Sequence, residues 1–164
     1  MSRRRPQDNA ALVRALVDAK VEFIVIGGVA AILHGASRVT SDLDISAPLS
    51  KENLQRLLQA LGPHRPVHAT RPDLLVLDDP LDRLMTFRLL LIETELGRLD
   101  VLPRVEPIGD YHELAAVEMT LAGHTVRVID RRQLIAVKES LTRPKDREVA
   151  LELRAIDERE RQSP

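Results

Sequence analysis

The stretch FIVIGGVAAILHGASRVTSDLDIS, residues 23–46, decides how this chain reads. An apolar, β-branched run reaches the pair Gly27-Gly28, VAAILHGA follows, and the chain then delivers Asp42-Leu43-Asp44. The run over residues 22–26 predicts a buried strand, VAAILHGA a short helix ending near Gly35, and SDLDIS a second strand over 42–46. Side chains two apart on a strand share a face. Asp42 and Asp44 are therefore expected side by side, with Leu43 and Ile45 turned into the core.

Two carboxylates held that close repel each other and raise one pKa. A divalent cation resolves the conflict, and magnesium favours carboxylate oxygens completed by water and phosphate. An isolated Asp-x-Asp is equally well explained as a solvated strand end. Two further features move the reading toward a site. The pair follows a glycine turn that opens a helix, where backbone N–H groups can hold a phosphate. A third carboxylate, Asp100 in GRLDVLP, sits in an apolar, strand-like stretch. Convergence of the three would suit two metal ions ~3.5–4 Å apart with phosphates between them.

Outward from this stretch, PQDNAALVRALVDAK has Leu12, Val13, Leu16 and Val17 on one helical face, with Asp8 or Asn9 as cap. LSKENLQRLLQALG predicts a helix from Ser50 to Gly62. DLLVLDD predicts a strand, and a hairpin is expected pairing residues 86–93 with 98–103 through TELG. GDYHELAAV predicts a short helix, and EMTLAGHTVRVID a hairpin turning at Ala122-Gly123. Asp130 caps a helix over DRRQLIAVKESL, and Pro144 opens a last one, whose tail DERERQSP is expected to fray. Hairpins mixed with helices give an α+β fold with a mixed sheet. Neither the phosphate-loop nor the dinucleotide fingerprint occurs.

The 164 residues suit one domain, spanning 1–164, with a core over about 21–130 and a helical part over about 130–158. Aromatics are only 2%, so Leu, Val, Ile and Ala must build the core, and base stacking is a poor means of gripping RNA. A net charge of -1 gives no global case for nucleic-acid or membrane affinity. Late in the chain, Arg127, Arg131, Arg132, Lys138, Arg143, Lys145 and Arg147 offer a local phosphate-tracking surface. The tip SRRRP reads either as a nucleic-acid contact or as a disordered basic end. With no cysteine, thiolate metal sites and a cysteine nucleophile are excluded. No apolar run approaches a membrane span or signal core, so a cytoplasmic protein without membrane contact is expected.

The strand, Gly27-Gly28, short helix and Asp42-Leu43-Asp44-Ile45, with Asp100 in RLDVLP, resemble the signature of the polymerase-beta-type nucleotidyltransferase superfamily. Gly35, Arg38, Thr40, Asp42 and Asp44, with Lys138 ahead of RPKD (143–146), look most like the small bacterial abortive-infection and toxin–antitoxin nucleotidyltransferases. The resemblance implies a nucleotidyltransferase fold, a mixed sheet flanked by helices with C-terminal helices. It implies a magnesium-dependent enzyme, with two ions on Asp42, Asp44 and Asp100, moving a nucleoside monophosphate from a triphosphate to an acceptor hydroxyl. Gly27 and Gly28 would admit the phosphates, and Arg38, Thr40 and Lys138 would contact the nucleotide. The acceptor it favours is RNA or protein, with an antitoxin as partner; an antibiotic acceptor, or a non-catalytic binding module, are the alternatives.

Physical readings stand beside these roles. Lys138 is also an amphipathic lysine whose stem packs on the core. Lys145 and Asp146 fall in the first turn of the last helix, where an acidic residue suits the helix dipole. An Asp146–Lys138 pair orienting the lysine reconciles both readings. Ser41 can shape its loop by a backbone bond. His34 reads as packing or a cap, and His64, His68, His112 and His124 carry no role.

Overall fold

The computed structural model describes residues 6–38, 40 and 42–163. The expectations for the SRRRP arginines and for Ser41 lie outside the described residues. The chain begins α1 (Asn9–Asp18), β1 (Ile24–Ile26), α2 (Gly27–Leu33), β2 (Leu43–Ser46) and α3 (Lys51–Leu61). It continues β3 (Val67–His68), β4 (Arg71–Leu75), α4 (Leu81–Leu84), β5 (Leu90–Thr94) and β6 (Gly97–Leu102). It ends β7 (Arg104–Val105), β8 (Gly109–Asp110), β9 (Ala116–Leu121), β10 (His124–Ile129), α5 (Arg131–Ser140) and α6 (Pro144–Gln162).

Eight strands form one mixed sheet in the order β4-β3-β5-β6-β2-β1-β10-β9, and β7 pairs with β8 apart from it. β2 runs parallel to β6 and β1 parallel to β10, while β1–β2, β5–β6 and β9–β10 are antiparallel. The architecture is the α+β mixed sheet expected.

Residues in register across a sheet share a face. Val25, Ile45 and Val101 align in this way, as do Leu43 and Leu99, and all five are fully buried. α1 packs against β6, β10 and α3, with Leu12, Val13 and Leu16 buried. On the opposite face the same register aligns Ile26, Asp44 and Asp100. One sheet therefore serves as core on one side and presents carboxylates on the other.

Several expected boundaries move, each for a local reason. The first strand starts at Ile24 rather than residue 22, because the Asn53 side chain takes both backbone groups of Glu22, at 2.8 and 3.0 Å. α2 begins at Gly27 itself, directly after the strand. Asp42 lies in a bend just before β2. The hairpin strand expected over 86–93 is Leu90–Thr94, since α4 and the turn after it occupy the preceding residues. DLLVLDD gives only the end of β4, followed by a turn of 3-10 helix at Val76–Asp78. GDYHELAAV forms no α-helix: it holds β8, the 3-10 turn Tyr111–Glu113, with Glu113 closing a capping box on Asp110, and the start of β9. The turn at Ala122-Gly123 forms as expected, with φ of 52° and 80°.

α6 does not fray from residue 157; it runs to Gln162. Arg131 on α5 ties it down, donating to Glu160 at 2.6 and 3.0 Å and pairing with Asp157 at 3.5 Å. No helix among the described residues is long and apolar enough to cross a membrane.

Candidate functional site

β1 passes into α2 without an intervening loop, and Gly27 makes the junction with a φ of +65°. That left-handed conformation disfavours any side chain. Space forbids one as well: a Cβ on Gly27 would lie 2.3 Å from Asp44 Oδ2, and one on Gly28 would lie 2.7 Å from Thr40 Oγ1. The glycine pair is thus where backbone approaches the Asp44 carboxyl and the Thr40 hydroxyl. Gly27→Ala is expected to lower stability by roughly 1–3 kcal/mol and to displace Asp44, measurable by denaturant unfolding.

Asp44 and Asp100 are direct register partners on parallel neighbours β2 and β6. Burial, then the charges of Asp100 and Asp42, push the Asp44 carboxyl up to about 7; Lys138 opposes this, and a hydrogen bond to Asp100 adds to it. Asp100 is itself engaged, accepting from Arg98 Nε at 2.8 Å. Arg98 also reaches Glu93 at 3.8 Å.

Together with Gly28 and Thr40, the three carboxylates line a groove of about 350 Å³, which Arg38, Lys138, Arg143, Lys145 and Asp146 line as well. The sequence-predicted residues Asp42, Asp44, Asp100, Gly28, Arg38, Thr40, Lys138, Lys145 and Asp146 thus come together, and Gly27 abuts Asp44 behind them.

The expected Lys138–Asp146 pair is formed at 3.1 Å, and Arg143 Nε donates to the other Asp146 oxygen at 2.9 Å. The Asp146 side chain is only 2% exposed. Burial alone would raise its pKa, but the hydrogen bond and charge of Lys138, then those of Arg143, hold it below the usual carboxylate value. Its contribution to stability is present above the unfolded value and lost as pH falls through the lower folded one. Asp146→Ala leaves Lys138, 12% exposed, without its carboxylate. At neutral pH this is expected to lower unfolding stability by roughly 2–3 kcal/mol, a loss that narrows as the pH falls below the ordinary carboxylate value.

The late basic residues do not make one surface. Lys138, Arg143 and Lys145 face the groove, whereas Arg127 hydrogen-bonds Tyr111 Oη at 3.1 Å. Arg131 is committed to α6, and Arg132 lines a separate groove between α5 and α6. His34 is buried with Nε2 2.7 Å from the Ile129 carbonyl oxygen, a packing role.

Arg98, the partner of Asp100, is a residue that the sequence reading missed, and the pairing of Arg143 with Asp146 went unread as well. Arg98 lies two residues before Asp100, the same spacing that paired Asp42 with Asp44, so strand alternation already placed it beside the triad. Arg143 stands one residue before the proline that opens α6.

Among the described residues, no three His, Asp or Glu side chains stand arranged to hold a metal ion. Asp44 and Asp100 hydrogen-bond one another, and Asp100 is turned to Arg98. The donor set nevertheless fits magnesium by its chemistry. It is all carboxylate oxygen, and the burial, with the neighbouring carboxylates, that pushes Asp44 up to about 7 is what a divalent cation would offset.

No family model and no curated protein sequence matches the chain. Among solved structures, it is similar to a crystal structure of ANT(2'')-Ia in complex with adenylyl-2''-tobramycin. Identity there is 14% and the TM-score 0.52, over 93% of this chain and 95% of that one. It is also similar to a solution structure of the antibiotic-resistance factor ANT(2'')-Ia, at 16% identity and a TM-score of 0.53, over 93% and 90% of the two chains. At these identities the likeness shows the fold alone, the mixed α+β fold shared with ANT(2'')-Ia.

Proposed function

We propose that the chain is a magnesium-dependent nucleotidyltransferase that moves a nucleoside monophosphate from a nucleoside triphosphate to an acceptor hydroxyl. The observation that carries this reading is the register pairing of Asp44 with Asp100 beside Gly27, in a groove that Arg38, Lys138, Arg143 and Lys145 also line. Asp42, Asp44 and Asp100 are the residues that would hold magnesium, which when bound neutralises phosphate charge and eases pyrophosphate departure.

The chain's own groups supply the rest. Gly27 and Gly28, lacking Cβ atoms, let the Asp44 carboxyl and the Thr40 hydroxyl close against the backbone at the start of α2, beside the phosphates. Arg38, Thr40 and Lys138 contact the triphosphate, with Lys145 at the rim. Asp146 holds the Lys138 ammonium in place. The acceptor oxygen bonds the α-phosphorus, the bond to the bridging oxygen breaks, and pyrophosphate leaves; we assign the hydroxyl proton to Asp100. Catalysis is then positioning plus charge neutralisation.

For the acceptor, the groove's wall is the relevant feature. Arg38, Lys138, Arg143 and Lys145 line it, with Lys138 and Arg143 paired to Asp146 and Arg38 paired to Glu148. Such a wall suits an anionic acceptor, so we favour RNA, in a toxin-like role restrained by an antitoxin protein. The likeness to ANT(2'')-Ia bound to adenylyl-2''-tobramycin supports a second reading, in which an aminoglycoside is the acceptor. The two separate in one experiment. Purified protein is incubated with magnesium and each α-labelled nucleoside triphosphate, with total cellular RNA, cellular protein or an aminoglycoside panel. Label in the RNA fraction supports the favoured acceptor, label on the aminoglycoside replaces it, and label in none of the pools contradicts transfer.

A further inference from the structure

The segment that brings Arg38 and Thr40 to the groove is held from behind by α6. A Cβ on Gly35, which has a φ of +107°, would stand 3.2 Å from Ile156 Cδ1. The Ser37 N–H donates to Glu152 Oε1 at 2.9 Å. The Arg38 guanidinium pairs with the Glu148 carboxylate. Positions 148, 152 and 156 are spaced four apart and so form one stripe on the helix. Three successive turns of α6 therefore each engage one residue of the segment, in reverse chain order.

The helix is a firm support for such a task. Its other side is seated through buried Val149, Ala150 and Leu153, and its far end is tied to Arg131. Its first turn carries Asp146, the carboxylate that fixes Lys138 and Arg143 in the groove. One rigid element thus sets both the lysine side of the groove and the segment bearing Arg38. Thr40, next along, lies over Gly28 so closely that a methyl there would meet its hydroxyl.

We propose that Glu148 and Glu152 are positioning residues for nucleotide binding, acting through Arg38 and through the backbone of Ser37 to fix Arg38 and Thr40 at the groove. Neither touches the phosphates; each limits where a phosphate-binding group can stand. The inference rests on the nucleotide reading of the groove, and its test is divided so that the two can fail separately.

Hydrogen–deuterium exchange of the full chain without nucleotide reads the support itself. Glu152→Ala is expected to speed exchange of the Ser37 amide about tenfold. Glu152→Gln, which keeps an acceptor oxygen, stays close to wild type. Equilibrium dialysis with labelled nucleoside triphosphate and magnesium reads the consequence. Glu152→Ala weakens binding roughly three- to tenfold and Glu152→Gln restores it; in turnover KM rises while kcat changes little. Glu148 is tested by a cycle. Glu148→Ala weakens binding in wild type but adds nothing to Arg38→Ala, because it acts through that residue.

Unchanged Ser37 exchange in Glu152→Ala, or additive losses from Glu148→Ala and Arg38→Ala, would overturn the proposal. Wild-type protein that binds no nucleotide, with Ser37 exchange still dependent on Glu152, would keep the support and reject its nucleotide role.

Discussion

Asp44→Asn is expected to lower nucleotidyl transfer by at least about a thousandfold, or about 4 kcal/mol of transition-state stabilisation. The substitution keeps the size of the side chain and its capacity to share a hydrogen bond with Asp100. It removes the anion at the centre of the three carboxylates. The register pairing with Asp100 makes this the position where loss of charge is least easily replaced. Initial rates of label transfer by wild type and variant, at matched saturating magnesium, measure the effect. A variant retaining more than about a tenth of wild-type rate would remove Asp44 from the reaction.

The same substitution is expected to stabilise the metal-free fold at alkaline pH. Burial and the neighbouring carboxyls raise the Asp44 carboxyl from 3.8 to about 7, so the folded state binds its proton more tightly than the unfolded chain does. The group's contribution is fully present below about pH 4, declines as pH rises, and is gone above the folded value. A carboxyl displaced this far accounts for at most about 4 kcal/mol between pH 4 and pH 8. Asparagine carries no charge and escapes the penalty. Urea unfolding in a chelator should therefore find Asp44→Asn more stable than wild type at pH 8, by roughly 2–4 kcal/mol, and the two nearly equal at pH 4. Loss of activity with gain of stability distinguishes a functional strain from a structural need.

The sequence made the carboxylate face legible because strand alternation is a strict geometric rule. Asp44 and Asp100 each stood between apolar residues that had to point the other way, whereas Asp42 falls in the bend before β2. The Lys138–Asp146 pair was also readable, since a proline-opened helix following closely on α5 brings the two within reach. What could not be read depended on contacts distant in sequence. Asn53 trims the start of β1 from thirty-one residues away, and Arg131 keeps the end of α6 helical. The two-residue β3 carries too little periodicity to announce itself, and it joins the sheet only through its pairing with β4 and β5. The glutamates of α6 carry no signal in the sequence; only the fold sets Glu148 and Glu152 against the Arg38 segment. Arg98 was overlooked although the alternation along β6 that located Asp100 located it as well.

The most direct test of the account is pyrophosphate release by the purified chain, supplied with nucleoside triphosphates and the combined acceptor pools. The account predicts release that requires magnesium, stops with a chelator, returns when magnesium is restored, and falls at least about a thousandfold in Asp44→Asn. Release that persists in the chelator or in the variant, or no release from any pool while the wild type is folded, would contradict it.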